Sequence, residues 1–308
     1  MRKLILSTIC LPALILVTLI TCNRPLPEKE NETNLTDKEK LGKLLFFETS
    51  LSTPEGQDCS ACHKPELAFA DPETGLPVSR GAIKGRYGNR NDLPVAYASF
   101  IPPLHFDTVE QVWVGGLFWD GRANTLEEQA MGPPLNPLEM ANPDTITIRE
   151  KLRTLEYAHM FTEIYGQGAL DDESTAFAYM ADAIAAYERT AEFRPFDSKY
   201  DHFLRGEAEL TEQELRGFGL FVSELKGNCA ACHPSTPSLD GTPPLFTDFT
   251  YDNLGVPKNP ENPFYLLPAD LNPDGFDFID LGLGITVNDP AENGKFRVPT
   301  LRNIAITP

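Results

Sequence analysis

The sequence predicts a mainly α-helical fold of two small domains with long loops, preceded by an export segment. Three observations predict it. Capping-box signatures precede apolar residues at helical spacing. One five-residue cysteine motif occurs once in each half of the chain. Residues 234–293 are rich in Pro, Gly, Asp and Asn and show little period of either kind.

At the N-terminus, Arg2 and Lys3 give a positive start and Leu4 to Ile20 is a nearly continuous apolar run. Leu19-Ile20-Thr21-Cys22 then resembles a bacterial lipoprotein box. Residues 1–22 are therefore expected to be a signal peptide ending at the box, with Cys22 as the lipidated first residue of the mature chain. Thr21 is larger than the Gly or Ala usual before such a cysteine. A plain cleaved signal and an uncleaved anchor are the alternatives, since the run is almost long enough to span a bilayer. All three place the body of the protein outside the cytoplasm, and the favoured lipid anchor would hold it in the periplasm at a membrane. Residues 23–35 are polar, hold two prolines and are expected to form a flexible tether.

Thr36-Asp37-Lys38-Glu39 is a capping box, and Leu41, Leu44 and Leu45 form an apolar stripe behind it. Cys59-Ser60-Ala61-Cys62-His63 follows, and Cys229-Ala230-Ala231-Cys232-His233 repeats the pattern. This is the attachment signal for c-type haem. Each cysteine sulfur adds to a porphyrin vinyl group, and the adjacent imidazole lies close enough to ligate the iron from one face. The rival is a zinc site, but zinc pairs usually sit nearer together and do not require the neighbouring His. Two covalent haem c groups are expected. Of the six cysteines, only Cys10 and Cys22 remain, so no disulfide framework is left. Of the five histidines, His105, His159 and His202 remain as ordinary surface or half-buried side chains.

Thr125-Leu126-Glu127-Glu128 is a second capping box, opening a short helix that Gly132-Pro133-Pro134 must end. Ser174 to Thr190 repeats small and apolar residues at helical spacing. Thr211-Glu212-Gln213-Glu214 starts a further helix, running through Leu220 and Phe221 toward the second motif. A macrocycle is itself part of a small core, so one haem per half is the natural partition. This gives cytochrome c-like haem domains over 36–195 and 196–308, with 234–293 looping over the second haem.

Net charge is −19, from 45 acidic against 26 basic residues, which argues against nucleic-acid binding. An acidic surface either steers a basic electron-donor protein toward a haem edge or simply keeps the protein soluble.

Leu41-Gly42-Lys43-Leu44-Leu45-Phe46-Phe47, the first cysteine motif, Arg90-Asn91, Phe118-Trp119-Asp120-Gly121-Arg122, Leu126-Glu127-Glu128-Gln129-Ala130, Glu139-Met140 and Phe296-Arg297-Val298-Pro299-Thr300-Leu301-Arg302-Asn303 follow in that order. Over residues 36–308 this series resembles the bacterial dihaem cytochrome c peroxidases. Their superfamily also holds the dihaem oxidase that matures a tryptophylquinone cofactor. The resemblance implies reduction of hydrogen peroxide to water at the first haem, with electrons from a small donor cytochrome entering at the second. It implies Glu139 as the acid/base carboxylate, Gln129 as the distal amide and Trp119 as the ring between the haems. Pro133 and Pro134 break the helix between Gln129 and Glu139, which lets both side chains turn toward one pocket. Asp120 and Arg122 would hold Trp119 or a haem propionate, or form a structural salt bridge. Trp113 is expected in the core. Calcium is implied at the domain boundary, on Asn91 and the carbonyls of Thr307 and Pro308, a ligand set suited to a hard cation. Family members are commonly homodimers, although no residue pattern here marks an interface.

Two departures from the family stand out. The loop Ser79-Arg80-Gly81-Ala82-Ile83-Lys84-Gly85 carries Ala82 where the classical members have a histidine that caps the iron until the enzyme is reduced. That predicts a first haem five-coordinate at rest, with His105 the side chain best placed to spoil the prediction. The chain ends at Thr307-Pro308, where the family continues to a distal ligand for the second iron, so the sequence is expected to be incomplete there. Tyr251 and Tyr265 are the candidate ligands within it. Two other functions stay open: an oxidase that spends stored oxidising equivalents on a protein or small molecule, and a non-enzymatic electron carrier.

Overall fold

A computed structural model describes residues 35–308. The expected signal peptide, Cys22 and tether residues 23–34 lie outside the described residues. In chain order the elements are α1 (Asp37–Phe46), β1 (His105–Asp107), β2 (Val112–Val114), α2 (Leu126–Ala130), α3 (Gly132–Leu135), α4 (Thr145–Thr154), α5 (His159–Tyr165), α6 (Glu173–Glu188), α7 (Lys199–Leu204), α8 (Glu212–Phe221), β3 (Tyr251–Asp252), α9 (Leu283–Val287) and β4 (Phe296–Arg297). Short 3₁₀ turns punctuate the loops. Among the described residues, no helix is long and apolar enough to cross a membrane.

Thr36 caps α1 as expected: its hydroxyl accepts the Glu39 N–H at 3.3 Å, and Glu39 accepts the Thr36 N–H at 2.6 Å. Leu41, Leu45 and Phe46 then fall on one face and are buried against α6. Gly42 is required at this crossing, because a Cβ there would stand 1.9 Å from the Ala183 carbonyl oxygen. Phe46, Phe69, Tyr187 and Phe193 make the aromatic centre of the core. Phe69 stacks on Phe193 at 3.9 Å, while Phe46 meets Phe193 and Tyr187 edge-on at 5.8 and 5.6 Å. Each such ring contributes on the order of 1.5–3 kcal/mol by burial.

The second capping box is only half formed. The Thr125 hydroxyl accepts the Glu128 N–H, but the Glu128 carboxylate takes the Asn124 N–H at 2.7 Å instead of closing on Thr125. Gly132-Pro133-Pro134 ends α2 and also opens α3, because proline is tolerated in a helix's first turn. Trp113 is not in the core. It lies half-buried on β2 against Phe106, ring centroids 5.4 Å apart, because the β1–β2 hairpin stands at the surface.

The second half is thinner. Thr211 closes a full capping box on α8, yet α8 buries no side chain and leaves Leu215 and Leu220 exposed. Residues 234–293 hold only β3, α9 and isolated turns. Backbone contacts tie this half to the first: Gly115 N–H donates to Phe249 O at 3.0 Å and Arg297 N–H to Trp119 O at 2.9 Å. The Tyr251 hydroxyl donates to Gly115 O at 2.5 Å. Gly121, with φ +75°, lets this turn approach, since a Cβ would lie 2.3 Å from the Tyr251 hydroxyl. Arg302, almost fully buried, pairs bidentately with Asp201 at 2.9 Å on both arms and lies over the rings of Phe196 and Tyr97.

Candidate active site

The two cysteine motifs fold alike. In each, a 3₁₀ turn starts at the first cysteine. The second cysteine's N–H donates to the first cysteine's carbonyl at 3.3 Å, and the histidine N–H donates to it at 2.9 Å. Asp58 caps the first turn by accepting the Ala61 N–H, whereas Asn228 opens the second in the left-handed region. His63 Nδ1 lies 3.2 Å from Phe69 O, and His233 Nδ1 lies 2.7 Å from Phe246 O. A proton held there leaves each Nε2 as the free lone pair for a metal, with its ring orientation fixed. Among the described residues no three His, Cys, Asp or Glu side chains converge on one ion.

Cys59, Cys62 and His63 line a large cleft in the first half. Leu45 and Phe46 from α1, Leu126 and Ala130 from α2 and Met180 and Ile184 from α6 supply apolar walls. Glu188 Oε2 and Gln57 Oε1, both in this lining, are buried and have no protein partner. Attachment thiols, an aimed imidazole, apolar faces and unpartnered polar atoms fit a planar macrocycle with a polar edge. Burial pushes both cleft thiols, Cys59 and Cys62, well above the ordinary range.

Glu139, Gln129 and Trp119 all line this same cleft. Glu139 follows α3, half-buried at the wall. Burial pushes its carboxyl up, to about 7, and the Asp92 carboxylate pushes the same way. A hydrogen bond from Asn136 and the charge of Arg122 oppose them. Trp119 Nε1 donates to Asn91 O at 2.7 Å. Asp120 pairs with Arg122 at 2.8 Å and with Arg90 at 2.8 Å, and Arg90 also grips Asp280 at 2.6 and 2.7 Å. The salt bridge foreseen for Asp120 and Arg122 thus exists, and it bridges the halves through Arg90.

Asn91 lies at the cleft mouth, exposed, with its amide 3.5 Å from Pro77 O. Thr307 is exposed, its hydroxyl donating to Asn303 O at 3.2 Å. No hydrogen bond joins Asn91 and Thr307. Ala82 N–H donates to Glu139 O at 2.8 Å, so the loop at 79–85 packs on the Glu139 turn. His105 is exposed on β1, with Nδ1 2.9 Å from Pro103 O, and is not part of the cleft lining. Tyr251 spends its hydroxyl on Gly115, and Tyr265 packs against Phe264 and Phe276.

Sequence reasoning missed Glu188. Burial pushes its carboxyl up, to about 8, with Arg189 opposing and Glu127 adding to the shift. Its signal was present: Met180, Ile184 and Glu188 recur every fourth residue and share one helix face. Arg297 was noticed only as part of a motif, without a role.

Residues 36–209 match the family described as di-haem cytochrome c peroxidase. The methylamine utilization protein MauG of Paracoccus denitrificans is 40% identical over 273 residues, covering 87% of this chain and 68% of that protein. The cytochrome c peroxidase Ccp of Escherichia coli is 30% identical over 289 residues, covering 92% of this chain and 51% of that protein. Against these relatives the chain spans between about half and two thirds of their length. The crystal structure of the diheme peroxidase BthA from Burkholderia thailandensis superposes with a TM-score of 0.78 at 33% identity, covering 90% of this chain and 69% of that one.

Proposed function

Because the chain belongs to the di-haem cytochrome c peroxidase family, we propose that it reduces hydrogen peroxide to water with electrons from a donor cytochrome. One peroxide, two electrons and two protons give two waters. The observation that carries this is Glu139, a carboxyl at about 7 on the wall of the cleft that holds Cys59, Cys62 and His63. Haem, when bound, supplies a metal site for the peroxide and the one-electron steps.

The chain's own residues supply the rest. His63, held by Phe69 O, orients the ligand nitrogen. Glu139 accepts a proton from one peroxide oxygen and delivers it to the other as the O–O bond breaks. Gln129, which lines the same cleft, orients the peroxide by hydrogen bonding. Trp119, anchored on Asn91 O, would relay electrons from a haem that Cys229, Cys232 and His233 would hold. The apolar walls exclude bulk water. With two haems loaded, peroxide-driven oxidation of a reduced cytochrome c should fall about 10²–10⁴-fold in Glu139→Gln. An unchanged rate removes Glu139 from the chemistry.

A second reading, favoured by the 40% identity to MauG and by Ala82 in the 79–85 loop, is an oxidase acting on a protein or small molecule. Oxidation of a tryptophan-bearing protein by peroxide, with no donor cytochrome present, distinguishes it.

The proposal extends to location and assembly. Covalent haem attachment outside the cytoplasm supports a periplasmic protein, and the box at Cys22 supports a lipid anchor. The haem domains are taken as 36–195 and 196–308. Calcium is proposed on Asn91 and the Thr307 carbonyl, and a homodimer by family likeness alone.

A further inference from the structure

Four arginines line the first cleft: Arg80, Arg90, Arg122 and Arg297. Three are neutralised by carboxylates. Arg80 pairs with Glu73, Arg90 with Asp120 and Asp280, and Arg122 with Asp120. Arg297 makes no ion pair among the described residues, although it is 5% exposed and the most deeply buried of the four. Its Nε donates to Phe118 O at 3.2 Å, which fixes the plane of the guanidinium. Its backbone N–H, on Trp119 O, fixes the strand that carries it. Neither terminal nitrogen, Nη1 nor Nη2, makes a hydrogen bond among the described residues, and the side chain lines the cleft. Burial lowers its pKa to about 10, and the Tyr251 phenol opposes this, so the group stays charged at neutral pH. A buried, charged guanidinium without an anion is costly to maintain, and its two remaining nitrogens form a fork that matches a carboxylate.

We propose that Arg297, reaching from the second half of the chain, binds a propionate carboxylate of the first-half haem in a charge-assisted bond. This rests on the reading that haem is bound at Cys59, Cys62 and His63. Arg297 is a positioning residue here. It ties placement of the first haem to docking of β4 on the Phe118-Trp119 turn. Arg122, the candidate from sequence, is already held by Asp120 and lies 3.5 Å from the Phe118 ring centroid.

The test uses the full chain carrying both haems, with loading established first by intact mass. If the mass lacks two macrocycles, the underlying reading fails, and the propionate proposal fails with it for a separately visible reason. In loaded Arg297→Gln, loss of a cation beside the first haem favours the ferric state. Potentiometric titration should show its reduced-to-oxidised ratio at fixed potential fall about tenfold, a downward shift of about 59 mV for one electron. The second haem should not move. Arg297→Lys keeps the charge but not the fork, so its potential should stay near the parent's. Its propionate-bending band in resonance Raman should nonetheless shift. An unmoved first-haem potential in Arg297→Gln, or an equal shift at the second haem, overturns the proposal. If Arg297→Gln does not fold, an unshifted Raman band in Arg297→Lys overturns it equally.

Discussion

Asn136 Nδ2 donates to Glu139 Oε1 at 2.7 Å, and this bond favours the ionised carboxylate against the burial that opposes it. In the proposed mechanism Glu139 must be ionised to take the first proton from peroxide. Peroxide turnover should therefore rise as pH increases through about 7 and then level off. Asn136→Ala removes the bond and should move that limb to higher pH while the plateau changes little. A pH–rate profile of the two proteins checks this, and coincident limbs contradict it.

Glu188 and Glu139 are both pushed up, to about 8 and about 7, from an ordinary value of 4.5. Each stays protonated in the folded state at pH values where the unfolded chain has lost its proton. The unfolded chain binds fewer protons in that window, so their contribution to stability is full below 4.5 and is lost as pH rises through the folded values. Glu188→Gln keeps the shape and removes one titration, with Arg189 and Glu127 left in place. Urea unfolding across the window should show a shallower loss of stability in the variant. A slope equal to the parent's would falsify the assignment.

Burial pushes the Asp201 carboxyl up, but its bonds to Arg302 and Ser198 hold it below the ordinary range overall. Its stabilising contribution is present above the unfolded value and disappears as pH falls. Asp201→Asn leaves the Arg302 cation buried without its anion and should cost about 3–5 kcal/mol at neutral pH. Denaturant titration measures this, and a loss under about 1 kcal/mol, the worth of an exposed pair, contradicts it.

Local signals carried much of the fold. Thr36 and Thr211 stand three residues before Glu39 and Glu214, and both boxes close. The box at Thr125 failed because Asn124 offered its N–H to Glu128 first, a competition that residue spacing does not display. Helix α4 went unseen because Asp144 caps it alone, accepting the Thr147 N–H, without a Glu or Gln to complete a box. The two Cys-x-x-Cys-His motifs are contiguous, so they stand out in the sequence without any structure. Arg297 is the opposite case. It is buried without an ion pair among the described residues, its side chain held only by Phe118 O, and burial of that kind is visible only once the chain is folded. Glu188 lay between, visible as an acid on an apolar stripe but meaningless until that stripe faced the cleft.

The cleft around His63 holds no second histidine: His105 is exposed, and the loop bearing Ala82 is bonded to the Glu139 turn. Met140 and Met180, which also line it, are packed in the hydrophobic core. Electron paramagnetic resonance of the fully oxidised protein carrying both haems therefore tests most directly whether the first iron keeps an open position. A high-spin ferric signal from the first haem is the predicted result. Low-spin signals alone, from both irons, would contradict it.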